Sequence, residues 1–302
     1  MKTIGIFGAG FSGKVIGRLL AQSGYRVWGT SRSTDNFDTL SAEGIAPVLF
    51  DGDQLNDDLT AMLAQTDGLI ISVAPPRQED LTEPDGLVDP VLKALKDQSL
   101  KELVPGLSWV CYLSTVGVYG NHDGAWVDED APVSPGSARS RQRVRAEAEW
   151  MAACDAHTLA LAVFRLSGIY GPGRNALINA ERGNARRLVK PGQVFNRIHV
   201  HDIAQAVMLA ANSRASGAFN ITDDEPAPPQ DVVEFAHQLM NKTPPAEIDF
   251  ETADLSPMAR SFYGENKRVS NEKSKRMLGL SYGFPDYRSA LEKMWRTDTW
   301  RG

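Results

Sequence analysis

Short apolar runs alternate with amphipathic stretches along this chain, and the alternation predicts a parallel sheet wrapped by helices. Residues 4–7 (IGIF), 46–50 (APVLF) and 68–71 (GLII) are continuous apolar runs. Unbroken runs of this kind belong to strands buried on both faces. The pattern predicts strands near 3–8, 25–30, 46–50, 68–73, 108–114, 159–166 and 217–221. Apolar positions three and four apart predict helices near 12–23, 55–65, 85–102, 137–156 and 202–212, with Asp202 as N-cap of the last. Strictly alternating strands and helices make an α/β fold with a doubly wound parallel sheet. After about residue 225 the composition turns to proline and polar clusters (EPAPPQ, TPPAEIDF, SPMARSFYGENK). That shift predicts a smaller, loop-rich lobe with a helix at DVVEFAHQLMN and a last one near 286–296. The expected division is a sheet domain of 1–170 plus 202–225 and a discontinuous lobe of 171–201 plus 226–302. No internal repeat or low-complexity tract interrupts it.

Between the first strand and the first helix the chain reads GAGFSG, residues 8–13. This G-x-G-x-x-G spacing gives each glycine a task. Gly8 makes the strand-to-helix turn, Gly10 lets backbone approach a pyrophosphate, and Gly13 lets the helix pack closely. The N–H groups around Gly10, Phe11, Ser12 and Gly13, at the positive end of the helix dipole, are expected to hold the phosphates. A Rossmann-type dinucleotide site follows.

Where the second strand ends, an acidic residue would accept from a ribose 2′-OH, whereas an arginine would take a 2′-phosphate. Here the strand ends in Ser31 and Arg32, with no carboxylate until Asp35. NADP is therefore the expected cofactor, with NAD the alternative. Asp51, after the third strand, is placed to accept from the adenine amino group. Ala74, in VAPP after the fourth, lies where the cofactor should run.

Composition removes several classes. A net charge of −6 argues against a nucleic-acid or anionic-membrane surface. No stretch reaches the roughly 20 apolar residues of a membrane span. Cys111 and Cys154 have neither disulfide-framework nor metal-ligand spacing, and a reducing cytoplasm is the expected compartment. His199 and His201 form an H-x-H pair beside Asp202, but nothing nearby completes a ligand set, and no metal is expected.

From these motifs outward the chain resembles the extended short-chain dehydrogenase/reductase family, the NAD-dependent epimerase/dehydratase group. YLSTVGVYG (112–120) is similar to the family's fifth-strand motif, which supplies an active-site Ser or Thr four residues before the Tyr. That position is Thr115, with Ser114 beside it. FRLSGIYGPGR (164–174), FNRIHVHDIAQAV (195–207) and the closing segment 266–291 resemble further family motifs in the same order. The resemblance implies a nucleotide-sugar or other sugar-like substrate in the cleft between sheet domain and lobe. It also implies a homodimer through the helices near 85–102 and 137–156.

One departure matters. The family's proton relay is Tyr-x-x-x-Lys on the helix after the fifth strand, yet SARSRQRVRAEAEW (137–150) holds neither residue. Arg139 or Arg141 falls at the Tyr position and Arg143 or Arg145 at the Lys position. Arg143 is expected to hold the nicotinamide ribose, but an arginine stays protonated and cannot exchange a proton near neutrality. The same arginines also read as i,i+4 partners of Glu147 and Glu149 on a solvated face. Tyr119 and Tyr170 are the candidates to move the proton beside Thr115, against the plainer expectation of buried tyrosines with satisfied hydroxyls. A chance Tyr-x-x-x-Lys occurs at Tyr263 and Lys267. The implied activity is an NADP-dependent oxidoreductase or epimerase; the alternative is a dinucleotide-binding redox sensor without turnover.

Overall fold

The computed structural model describes residues 2–76, 86–95 and 99–302. All seven predicted strands form and lie in one parallel sheet. In chain order they are β1 (Thr3–Phe7), β2 (Arg26–Ser31), β3 (Ile45–Leu49), β4 (Gly68–Ile71), β5 (Trp109–Thr115), β7 (Ala160–Leu166) and β11 (Gly217–Ile221). Three small parallel pairs complete the strands: β6 (Trp126–Val127) with β13 (Arg268–Val269), β8 (Gly168–Tyr170) with β10 (Arg197–His199), and β9 (Arg187–Val189) with β12 (Glu247–Asp249). The main sheet runs β11-β7-β5-β4-β1-β2-β3. Its order reverses between β1 and β4, and the crevice at their C-terminal ends is where such sheets bind ligands.

Helices cover both faces. On one side α1 (Phe11–Gln22), α2 (Phe37–Ala42), α8 (Val200–Ser213) and α11 (Glu272–Leu278) bury Ile16, Leu20, Leu40, Val207 and Leu278 against β1 and its neighbours. Packed on the other are α3 (Asp57–Leu63), α4 (Pro90–Ala94), α5 (Leu100–Leu103) and α6 (Ala138–Asp155). A third apolar cluster forms where α7 (Ala176–Glu181), α9 (Pro229–Leu239) and α12 (Tyr287–Arg296) pack around Leu177, Ala236 and Leu291. The short α10 (Pro257–Phe262) precedes a further cluster holding Tyr263 and Phe250. No helix among the described residues is long and apolar enough to cross a membrane.

Three expectations change. The single helix expected over 85–102 is two short ones, with residues 85 and 96–98 outside the described set. Ser99 starts the second with a reciprocal capping box to Glu102, so the chain reinitiates there. The N-cap of α8 is His199, whose Nδ1 accepts from the His201 N–H at 3.3 Å. Asp202 sits in the first turn and accepts instead from the N–H groups of Gly283 (2.8 Å) and Phe284 (3.1 Å), tying the C-terminal segment to α8. Finally, α11 packs on α8 and β11, so part of the segment expected in the lobe returns to the sheet.

Gly5 explains why the first strand tolerates a glycine: a Cβ there would lie 2.1 Å from the Trp28 ring. That indole is 1% exposed and donates from Nε1 to Thr66 Oγ1 at 2.8 Å.

At the exit of β11, Asp223 is 1% exposed. Its Oδ1 accepts from the Glu225 N–H at 3.3 Å, and Oδ2 has no partner among the described residues. Burial pushes this carboxyl up to about 8, against the pull of Arg197. Folding then takes up a proton between the unfolded value near 4 and about 8, and stability falls as pH rises through that window. Asp223→Asn keeps an acceptor at Oδ1 and cannot ionise. In thermal denaturation its Tm should exceed that of the wild type by a margin that widens from about pH 5 to about pH 8.5. A margin independent of pH contradicts the assignment.

Candidate active site

The predicted glycine turn closes over the C-terminal end of β1. Gly8 has φ +90°, in the left-handed region, and its N–H donates to Thr30 Oγ1 at 2.8 Å. A Cβ on Gly13 would lie 2.4 Å from the Gly8 carbonyl oxygen, so only glycine lets α1 sit this close to the strand. At Gly10 the reverse holds: a Cβ there meets nothing within 4 Å. The protein itself does not require that glycine, and the open space suits a ligand approaching the backbone. No side chain caps the N-terminus of α1, and its first turn holds no acidic residue. Uncapped N–H groups at Phe11, Ser12 and Gly13, beside an open Gly10, fit a dinucleotide pyrophosphate.

Around this turn, β2 and β3 bring the discriminating residues to the same edge. Ser31 is half-buried and its carbonyl accepts from the Phe50 N–H at 2.9 Å. Arg32 is exposed and has no hydrogen-bond partner among the described residues. The nearest downstream carboxylate, Asp35, accepts from Ser33 Oγ at 2.9 Å. Asp51 is exposed beside a cavity lined by Leu49, Phe50, Gln54 and Leu55, with Oδ1 taken by the Asp53 N–H at 3.1 Å. Ala74 is exposed after β4, while Val73 packs against Gly8.

The end of β5 departs from expectation. Thr115 is half-buried and its Oγ1 accepts from the Gly117 N–H at 3.1 Å, which leaves the hydroxyl proton to donate elsewhere. Ser114, its neighbour, faces the other way and donates to Glu147 of α6. Glu147 Oε2 pairs with Arg165 Nη2 at 3.0 Å. Arg165 Nη1 donates to the Tyr119 hydroxyl at 2.9 Å, and that hydroxyl donates to Asn220 Oδ1 at 2.8 Å. Tyr119 is fully buried, and burial holds its phenol above the ordinary value. Ser114 and Tyr119, both expected to act on substrate, are thus members of a buried polar network joining β5, α6, β7 and β11. In neither case is the hydroxyl free.

Along α6 the arginines diverge. Arg143 Nη1 donates to the Leu113 carbonyl at 2.8 Å and to the Tyr112 hydroxyl at 3.3 Å, which anchors the guanidinium beside the end of β5. Arg145 Nη2 reaches the Gly86 carbonyl at 2.8 Å, and Arg139 and Arg141 are exposed near the helix start. Neither expected i,i+4 pair is among the salt bridges of the described residues. Glu147 points inward to Arg165, and Glu149 accepts from the N–H groups of Val88 and Asp89, both at 2.9 Å. Glu147 was legible in one respect: it lies on the same stripe as buried Trp150 and Cys154, where a charge needs a partner across the core. Arg165, inside the apolar run of β7, is that partner.

The remaining candidates are held in other contacts. Tyr170 lies in the apolar cluster shared with α7, α9 and α12, with its phenol pushed up by burial. Tyr263 packs in the Phe250 cluster, and Lys267 is buried with Nζ on the Gly120 carbonyl (2.6 Å) and Glu265 (2.7 Å), so the chance Tyr-x-x-x-Lys forms no catalytic pair. His199 stacks on Phe284 with ring centroids 3.7 Å apart, and burial lowers its pKa to about 3. No group of three metal-ligating side chains occurs among the described residues. Cys111 and Cys154 are buried free thiols.

Over 99% of both chains, a conserved protein of unknown function from Silicibacter pomeroyi DSS shares 45% identity, with a TM-score of 0.88. The NAD complex of UDP-glucuronic acid 4-epimerase from Bacillus cereus superposes with a TM-score of 0.74 over 97% of this chain and 96% of that one, at 18% identity, a likeness of fold alone. A 3-diazoavenalumate denitrifying reductase from Streptomyces sp. is 29% identical over 181 residues, 55% of this chain. The match spans 58% of that reductase, somewhat over half its length. Residues 4–222 match the NAD dependent epimerase/dehydratase family, and the chain belongs to it.

Proposed function

We propose that this chain is an NADP(H)-dependent oxidoreductase or epimerase of its family that acts without a Tyr–Lys proton relay, on a sugar-like substrate. The observation that carries the reading is the pairing of a fitted dinucleotide turn with a half-buried Thr115 hydroxyl at the end of β5. When bound, the nicotinamide supplies or accepts a hydride at a substrate carbon. The chain's own part is positioning. Uncapped N–H groups of α1 hold the pyrophosphate, Arg32 takes the 2′-phosphate, and Arg143, anchored on Leu113, turns its remaining donors to the ribose. Thr115 donates to the substrate oxygen. With Tyr119 bonded to Asn220 and Arg165, water is the group left to exchange the proton. A reduction whose substrate is already electrophilic needs that proton least, and the Streptomyces relative is named as a reductase.

The second reading, a dinucleotide-binding redox sensor, draws on the same commitment of Tyr119 and the absence of Tyr and Lys from α6. Turnover separates the two. NADPH-loaded protein incubated with a panel of keto- and hydroxy-sugars should oxidise cofactor on at least one, and Tyr119→Phe should retain that turnover. The same variant should lose about 1–3 kcal/mol of stability in urea, because Arg165 and Asn220 keep unsatisfied groups. Tight NADPH binding with no turnover across the panel contradicts the enzyme reading, and turnover abolished in stably folded Tyr119→Phe contradicts the assignment of the proton to water.

For cofactor choice, Arg32→Ala should weaken NADPH binding about tenfold while leaving NADH unchanged, as read by fluorescence titration. Equal weakening of both, or of neither, contradicts 2′-phosphate recognition by Arg32.

A further inference from the structure

The turn between β8 and α7 carries an arginine that the reading above does not use. Arg174 is exposed, and its guanidinium lies over the ring of Phe11, the first residue of α1, at 5.6 Å from the centroid. It has no hydrogen-bond or ion-pair partner among the described residues. The backbone beneath it, by contrast, is held from several directions. Gly171 and Arg174 exchange backbone bonds of 2.9 and 3.0 Å. Gly173 adopts φ +76° and donates to the Trp300 carbonyl at 2.9 Å. Asn175, only 8% exposed, donates through Nδ2 to the carbonyls of Gly171 and Trp300, both at 2.8 Å. Its Oδ1 caps α7 through the Ile178 N–H at 3.2 Å. The C-terminal residues thus fix a turn whose one outward side chain is a cation placed at the start of α1.

We propose that Arg174 is a cofactor-binding residue, a guanidinium clamp on the dinucleotide pyrophosphate delivered from the lobe side of the cleft. The inference rests on the dinucleotide reading. α1 offers its phosphate site from below, through backbone N–H groups, and Gly10 leaves the space above it open. The guanidinium lies over the ring of Phe11, the residue that follows Gly10 in the chain. Its planar fork binds a diphosphate through two parallel bonds, which an aromatic face cannot replace. Closing this contact links the lobe and the C-terminal residues to the cofactor, so cofactor binding and lobe position become coupled.

Calorimetric titration of full-length wild type, Arg174→Ala and Arg174→Lys with NADPH, NADH and ADP-ribose tests this. Arg174→Ala should weaken all three about tenfold, with a shallower dependence on salt concentration, and Arg174→Lys should recover part of the loss. ADP-ribose carries the pyrophosphate without the nicotinamide, so an equal loss for it assigns the effect to the phosphates. Arg174 is exposed, and an unchanged Tm for the apo variant keeps folding out of the result. Wild type that binds with Arg174→Ala within twofold of it overturns the clamp and leaves the dinucleotide reading standing. Wild type that binds none of the three overturns both.

Discussion

The site depends on one close approach, between α1 and β1. With hydrogen at position 13, the helix comes near enough that a methyl group would lie 2.4 Å from the Gly8 carbonyl. That proximity places the N-terminus of α1 at the reversal of strand order, where the crevice opens. Gly8 in the left-handed region makes the turn short enough to get there, and Thr30 on β2 receives its N–H. The result is a helix end whose donors have no side-chain cap among the described residues. Such a helix end suits an anion, and in the proposed reading the backbone N–H groups there hold the pyrophosphate.

A second constraint decides what the neighbouring side chains cannot do. Glu147 and Arg165 form a pair with side chains 7% and 10% exposed, and a pair this buried needs further hydrogen bonds to offset its desolvation. Ser114 donates to the carboxylate and the guanidinium donates to Tyr119, while Arg165 Nε has no partner among the described residues. Ser114 gives its proton to Glu147 and Tyr119 gives its proton to Asn220. The Thr115 hydroxyl proton has no acceptor among the described residues, which is why the proposed reading assigns substrate contact to Thr115. The same network stitches α6 to β5 and β7, so the surface from which Arg143 reaches the end of β5 is rigid. Stability and chemistry are separated residue by residue here, and a motif that looks catalytic in one dimension splits between the two.

The sheet was legible because its signal is local. Continuous apolar runs and the glycine spacing need no knowledge of distant residues, and all seven strands lie within two residues of their predicted ends. What failed was non-local. Whether Tyr119 is free depends on Arg165 and Asn220, 46 and 101 residues away in sequence. Asp202 read as a cap because it stands at a helix start, yet its acceptors are drawn to Gly283 and Phe284, 81 and 82 residues away. The expected surface pairs of α6 failed similarly, since i,i+4 spacing says nothing about which carboxylate faces the core. Arg165 and Glu147 were nonetheless marked in the sequence, as charges on stripes otherwise apolar.

The central claim is that the α1 turn holds a dinucleotide and prefers the 2′-phosphorylated form. Titration of the purified chain with NADPH, NADP, NADH and NAD side by side in a calorimeter tests it directly. The account predicts tight binding of NADPH or NADP and weak binding of NADH and NAD. Absence of heat from all four would contradict it, leaving the glycine turn a packing device with no cofactor to hold.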